Sequence, residues 1–379
     1  MKLFQLFLTV LCVALYSCST ERTNKGGVLP DYEFEIVDSL QIDLLESLYL
    51  MDIHVEKELF LLSTENDNRL FLADKSGKII ATFDEPADSP TAFGKGTGSG
   101  IFMDDQIIIM GYQQFAIYDL QFNFQKRFRL TYPGSDIFYR NNDNLKQIVL
   151  KGKPMLLAYT GGPQSGVPSN QPEYYSEYNA FDIIDVDSGT FKPVVPFHPK
   201  SRFLSGKAFE YIQPKYQVDG NQISFAYRQD TLLFHYNVDQ SEDFTATRIP
   251  FDKFLMNEGF PMRGQMDYVT PKDVEGKIHS YFKVGDLHLF SYTSGIKYEN
   301  IPDLTLEEDI LAREFGRINP LKYIVMNDSG KGSKPQEMKN EYYLTRIDTD
   351  GNLWAKQNTY VLDYEPDLIT FYKLKLVQK

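Results

Sequence analysis

Residues 48–83 read LYLMDIHVEKELFLLSTENDNRLFLADKSGKIIATF. Apolar and β-prone residues fill four short runs, Leu48 to Ile53, Leu59 to Ser63, Arg69 to Asp74 and Lys78 to Phe83. Tight turns separate them, at Glu56-Lys57 and at Asp74-Lys75-Ser76-Gly77, where glycine supplies a positive φ. Four short strands joined by hairpins make one sheet with a single twist, the unit of a propeller blade. The unit recurs. Turns centred on Asp104-Asp105, Lys151-Gly152, Asp219-Gly220, Val284-Gly285 and Asp350-Gly351 are each flanked by strand-forming residues. From 57 to 105, 152, 220, 285 and 351 the steps are 48, 47, 68, 65 and 66 residues. Periods above ~40 residues with several strands each read as propeller blades. Six such units use residues 32–379 and leave no room for a second domain; Tyr32 to Asp38, which has no blade of its own, is expected to pair with Ile369 to Leu376 and close the ring. The expected fold is all-β, a six-bladed β-propeller of four-stranded antiparallel blades with one short inserted helix.

Outward from the repeat, the N-terminus has its own logic. Leu3 to Tyr16 is a largely apolar run of fourteen residues behind Lys2. A spanning helix needs about 20, so this run reads as the core of a signal peptide, residues 1–17. It ends in Leu15-Tyr16-Ser17-Cys18, which resembles the lipobox of bacterial lipoproteins, although Tyr16 is larger than that pattern prefers. The resemblance implies that Cys18 is lipidated and that residues 18–31 form a flexible tether. Cys12 lies inside the apolar run, so the mature domain holds no internal disulfide.

The formal net charge is −13, and loss of Lys2 with the signal peptide makes it −14. Such a surface repels phosphate backbones, so no nucleic acid partner is expected. With 25 Tyr and 28 Phe against one Trp, the aromatics suit sheets. The later, longer units carry insertions, the usual place for specificity on a repeat scaffold. Residues 160–178 are rich in Gly, Pro and Ser and read as an extended loop, and residues 252–277 as another irregular stretch. Thr305-Leu306-Glu307-Glu308 has capping-box spacing, and Leu306, Ile310 and Leu311 share a face, so a lid helix packed on a blade edge is expected there.

Together these features resemble the TolB-like six-bladed propeller lipoproteins of Bacteroidota-type envelopes, one group of which has no known function. Asp74-Lys75-Ser76-Gly77-Lys78-Ile79-Ile80 is similar to the D-x-x-G-K-x-I turns of that class, and Gly94-Lys95-Gly96-Thr97-Gly98 lies where many carry G-x-G-P-G, here without the proline. The resemblance implies fold and an envelope location, most simply the outer membrane. It brings no reaction.

Catalytic motifs fail on inspection. The glycine run 94–100 is neither a dinucleotide fingerprint nor a phosphate loop, and Gly98-Ser99-Gly100 is no nucleophile elbow. Of His54, His198, His235, His279 and His288, only the last two are close in sequence, and pairing across the Val284-Gly285 turn makes them diagonal at best. No metal site and no cofactor is expected. Asp348-Thr349-Asp350-Gly351-Asn352 mimics a calcium loop, but its glycine comes fourth instead of sixth, and an Asp-Gly hairpin accounts for it. Catalytic residues stay unknown.

One pattern points to binding. Seven residues beyond each turn lie Thr64, Tyr112, Tyr159, Tyr227, Tyr292 and Asn358. Equal offset implies equal height, so a ring around the opposite mouth of the channel is expected, with Tyr112, Tyr159, Tyr227 and Tyr292 as ligand contacts. The preferred function is a lipid-anchored, monomeric envelope module that binds a glycan, peptide or envelope protein without catalysis. The alternative is an envelope hydrolase or lyase acting on glycans through carboxylates at the channel mouth.

Overall fold

The computed structural model describes residues 28–44, 46–64, 68–94, 96, 98–112, 114–130, 144–210, 212–262, 273–362 and 366–379, apart from the side chains of 308, 309 and 360. The signal segment, Cys12, Cys18 and most of the tether lie outside them.

Six four-stranded antiparallel sheets form in chain order. Blade 1 consists of Leu48–His54, Leu59–Thr64, Leu70–Asp74 and Ile79–Phe83, within a residue of the expected runs. Its first turn spans four residues, closed by Glu58 N–H to the Val55 carbonyl at 3.1 Å, where a two-residue turn was expected. Blade 3 has the tighter form, with Lys151 and Gly152 at φ 49° and 78°. That is the pattern of a type I′ hairpin, whose twist matches the strands it joins. The first strands of the six blades touch in cyclic order, so they surround a central channel.

Blade 6 is composite. Tyr342–Ile347, Leu353–Gln357 and Ile369–Gln378 supply three strands, and the N-terminal strand Tyr32–Ile42 supplies the outermost. Tyr32 pairs with Gln378 and Ile42 with Ile369, so the chain's two ends close the ring. Alternation in YEFEIVD made Tyr32 to Asp38 the expected closing strand; the strand runs four residues further, past a bulge between Ile36 and Asp38. Its last turn buries Leu40 and Ile42 against blade 1.

The helical content departs from expectation. Pro172–Glu177 (α1) breaks the stretch read as extended loop, burying Tyr174 and Tyr175 among the aromatics of blades 3 and 4. Proline at its first turn suits a helix start. Glu308–Ile318 (α2) does form, but Glu307 is its N-cap and Thr305 bonds Asp303 instead. The expected lid does not pack down either, since Leu306 and Ile310 are exposed. The two long connections after blades 3 and 4 meet in a small sheet, Lys207–Ala208 against Phe260–Pro261.

Candidate functional site

Three of the six offset positions are equivalent in register. Thr64 stands opposite Leu48, Tyr227 opposite Pro214 and Tyr292 opposite Ile278, each at the beginning of its blade's first strand. They therefore share a height, one strand out from the channel. Exposure is another matter. Tyr159, Tyr227 and Tyr292 are at most 1% exposed, whereas Tyr112 is 54% exposed.

Insertions cause the difference. The segment carrying α1 folds over the ends of blades 3 and 4, and Tyr159 donates its hydroxyl to the Ile212 carbonyl at 2.7 Å. Tyr227 packs edge-on to Phe203, with ring centroids 4.9 Å apart. In blade 5, Phe251 covers Tyr292 at 4.4 Å, and the Tyr292 hydroxyl reaches Asp252 at 2.6 Å. Burial raises the pKa of all three phenols well above the ordinary tyrosine value. These three tyrosines fasten loops to blades and offer no face to a ligand; the expectation that they contact one is corrected. The strand Gln114–Asp119 begins two residues after Tyr112, so no insertion follows it.

At the face of the hairpin turns, the channel widens into a depression of about 460 Å³ lined from all six blades. Its wall includes Asp52, Lys146, Gln217, Asp219, Lys283 and Arg346. Two β-bulges aim the central pair. Register shifts between Leu50 and Asp52 in blade 1, and between Leu344 and Arg346 in blade 6. A bulge re-aims the residue that follows it. Asp52 and Arg346 thus meet at 2.9 Å across the seam between first and last blades. The other Asp52 oxygen accepts the Phe102 backbone N–H at 2.7 Å. Asp219 is paired with Lys283 at 2.6 Å. Asp348 accepts from the Asn352 backbone at 2.8 Å and the Trp354 indole at 3.0 Å, a turn that fills its own carboxylate with donors. Each acid at this mouth is committed to a base or a donor.

Sequence reasoning missed two clusters that adjacent blades assemble. His235 and His288 lie with ring centroids 5.5 Å apart. His235 shares a hydrogen bond with Ser224 at 2.8 Å, and His288 bridges Tyr281 at 2.8 Å and Asp328 at 2.7 Å. Burial lowers the pKa of both, of His235 to about 4, so they are neutral struts between blades 4 and 5 at neutral pH. The second cluster gathers under the loops after blades 3 and 4. Arg202 donates to the carbonyls of Gln229 and Asn257, and the Asn257 amide donates to Glu275. Asp230 beside them is 3% exposed. One of its oxygens accepts the Thr231 N–H at 2.6 Å and the other has no hydrogen-bond partner. Burial raises the pKa of both acids, of Asp230 to about 6.

That shift has a sign. The folded state holds the Asp230 proton more tightly than the unfolded chain does, so ionising it opposes folding. The penalty is absent below about pH 3.8, grows as pH rises, and is complete above about pH 6. Asp230→Asn is therefore expected to be more stable than the parent at pH 7.5, by roughly 1–3 kcal/mol, and equal to it near pH 3.5. Urea titrations at the two pH values check this. A gain that does not change with pH would contradict it.

Two solved structures share this architecture. A member of the DUF4221 family from Bacteroides vulgatus aligns over 92% of this chain and 99% of its own, with TM-score 0.62 and 10% identity. A "putative exported protein" from Bacteroides fragilis aligns over 91% and 96%, with TM-score 0.54 and 11% identity. At such identities the likeness concerns the fold. No protein-family model matches the chain, and no curated protein matches it.

Proposed function

We propose that this chain is a lipid-anchored, non-catalytic binding module of the bacterial cell envelope, akin to the TolB-like propeller lipoproteins, with the channel mouth as its recognition surface. The observation that carries the reading is the depression lined from six blades, in which every carboxylate described above is already paired. Fixed, mutually compensated charges orient a polar ligand at little reorganisation cost. Export accords with the description of the Bacteroides fragilis neighbour. Attachment rests on Cys18 behind an apolar run too short to span.

A second reading, hydrolysis or elimination on a glycan, is favoured by two acids with raised pKa, the buried Asp230 and the half-buried Glu275, near Arg202. That cluster lies away from the six-blade depression. One experiment separates the readings. Cys18→Ser should shift the protein from the detergent to the aqueous phase on partitioning. The soluble form should then retain glycans or peptides on an array, leave them chemically unchanged by mass spectrometry, and lose about tenfold in affinity in Lys146→Ala/Gln147→Ala. Membrane retention of the serine variant would refute the anchor, and cleaved glycan would favour the second reading.

A further inference from the structure

His235 and His288 face each other across one seam of the propeller. His235 lies on Leu232–Asn237, the third strand of blade 4, and His288 on Leu287–Thr293, the second strand of blade 5. From their geometry and partners we infer that the pair is an acid-sensitive clasp. Neutral imidazoles hold blades 4 and 5 together, and a second proton on each parts this seam before the rest of the propeller loosens. The clasp lies beside the channel mouth and does not depend on which ligand the mouth takes.

Hydrogen bonds select the neutral form. His288 is wholly buried, with Nε2 2.7 Å from Asp328 Oδ1 and Nδ1 2.8 Å from the Tyr281 hydroxyl. An ionised carboxylate only accepts, so these partners assign the proton to Nε2 and leave Nδ1 to accept the phenol O–H. A proton added at Nδ1 would meet that O–H head-on and turn the phenol away. The Tyr281 carbonyl accepts the Gln217 amide of blade 4 at 2.9 Å, so moving Tyr281 disturbs a hydrogen bond that crosses the seam. His235 is half-buried, and its Nδ1 lies 2.8 Å from Ser224 Oγ on the neighbouring strand of blade 4.

Charge opposes the second proton as well. The imidazole centroids are 5.5 Å apart, close enough for two cations to repel strongly where water is scarce. Lys283 stands directly opposite His288 in the hairpin ladder and adds a third positive group. Asp219 of blade 4 holds the Lys283 ammonium at 2.6 Å, and both residues line the channel mouth. Asp328 faces the pair from the turn after Lys322–Asn327, with its side chain 67% exposed. With Lys283 already paired, this water-exposed carboxylate would have to face two imidazolium charges. Burial, and for His235 also the neighbouring His288, keeps both imidazoles less basic than free histidine, His235 with a pKa of about 4. His279 also belongs to blade 5, but it is exposed and bonds Thr293 at the end of the hairpin away from the turn.

Because the folded pKa values are depressed, the clasp is fully formed above about pH 6.5 and weakens as pH falls toward about 4. Within that window, parting the seam takes up one proton per histidine. The parted population therefore grows by up to about tenfold per histidine per pH unit.

Hydrogen exchange of the full soluble chain, followed by mass spectrometry between about pH 7 and 4.5 and corrected for intrinsic exchange, tests this. Blades 2 and 3, whose strands carry no histidine, are the internal reference. From about pH 6 to 5, amides of residues 222–237 and 278–292 are expected to lose protection by roughly 30- to 100-fold. Amides of blades 2 and 3 should lose at least tenfold less. His288→Gln and His235→Gln keep a polar amide at each site without a titrating group. Each should remove about tenfold from the acid response, and the double variant nearly all of it. His279→Gln should leave it intact. Should His288→Gln not fold, the half-buried His235→Gln decides the matter alone. Constant protection across the pH range, an equal loss in blades 2 and 3, an unaltered response in His235→Gln, or a response that disappears in His279→Gln would each overturn the clasp.

Discussion

Deleting residues 32–42 is expected to lower the melting temperature by about 10 °C and to make the protein prone to self-association. Leu40 and Ile42 are almost wholly buried, and burial of two such side chains contributes roughly 3–6 kcal/mol. At ~2–4 °C per kcal/mol for mid-sized domains, that alone gives a shift of this size. The deletion also strips Ile369–Gln378 of its outer partner and leaves a ten-residue strand edge open. The strand is gripped from blade 5 as well, where the Tyr323 hydroxyl and the Gln336 amide both donate to the Tyr32 carbonyl, at 2.8 and 3.1 Å. Calorimetry and light scattering on the truncated chain check the two effects. An unchanged melting temperature would mean that ring closure does not depend on this strand.

Asp52→Ala is expected to cost about 3–5 kcal/mol, because it takes a close ion-pair partner from a buried arginine. Arg346 is 5% exposed, and Asp52 is its ion-pair partner across the seam. The same substitution orphans the Phe102 N–H, which Asp52 accepts. Replacing both charges by apolar residues of like volume, Asp52→Leu with Arg346→Met, should recover much of the loss, because neither charge then has to be desolvated. Urea denaturation of the two single variants and the double variant measures the coupling. A single variant within about 1 kcal/mol of the parent would place this pair among weak surface bridges.

Both predictions concern the seam, which the sequence half disclosed. The terminal strands were legible because each alternates apolar and polar residues and lacked a blade of its own, and an unpaired strand at each end invites mutual pairing. The ion pair beside them was not legible. Asp52 and Arg346 are 294 residues apart, and bulges in two separate strands aim them at each other. A bulge leaves no mark in an apolar run, because it is a local choice made by packing.

The candidate sites divide in the same way. One offset selected Tyr112, Tyr159, Tyr227 and Tyr292 alike, yet the first is exposed and the other three are buried. Offset from a hairpin measures height along a strand; whether a side chain at that height meets water depends on what the next connection covers it with. Lys126-Arg127-Phe128-Arg129 places two arginines on one strand face, and Arg127 reaches the carbonyls of Pro90 and Ala92. That loop lies more than thirty residues earlier, and no local pattern announces the contact.

By itself, then, the sequence determined the blade, the number of blades and the way the ring closes, since strand periodicity and turn chemistry are local and repeat with the chain. It also determined that Cys18 follows an apolar run too short to span a membrane. Only the tertiary structure decided which tyrosines are buried, which histidines meet, and where charges converge, because those depend on adjacent blades and on insertions folding across them. Short-range pattern sets the scaffold; long-range packing decides which of its side chains remain available to another molecule.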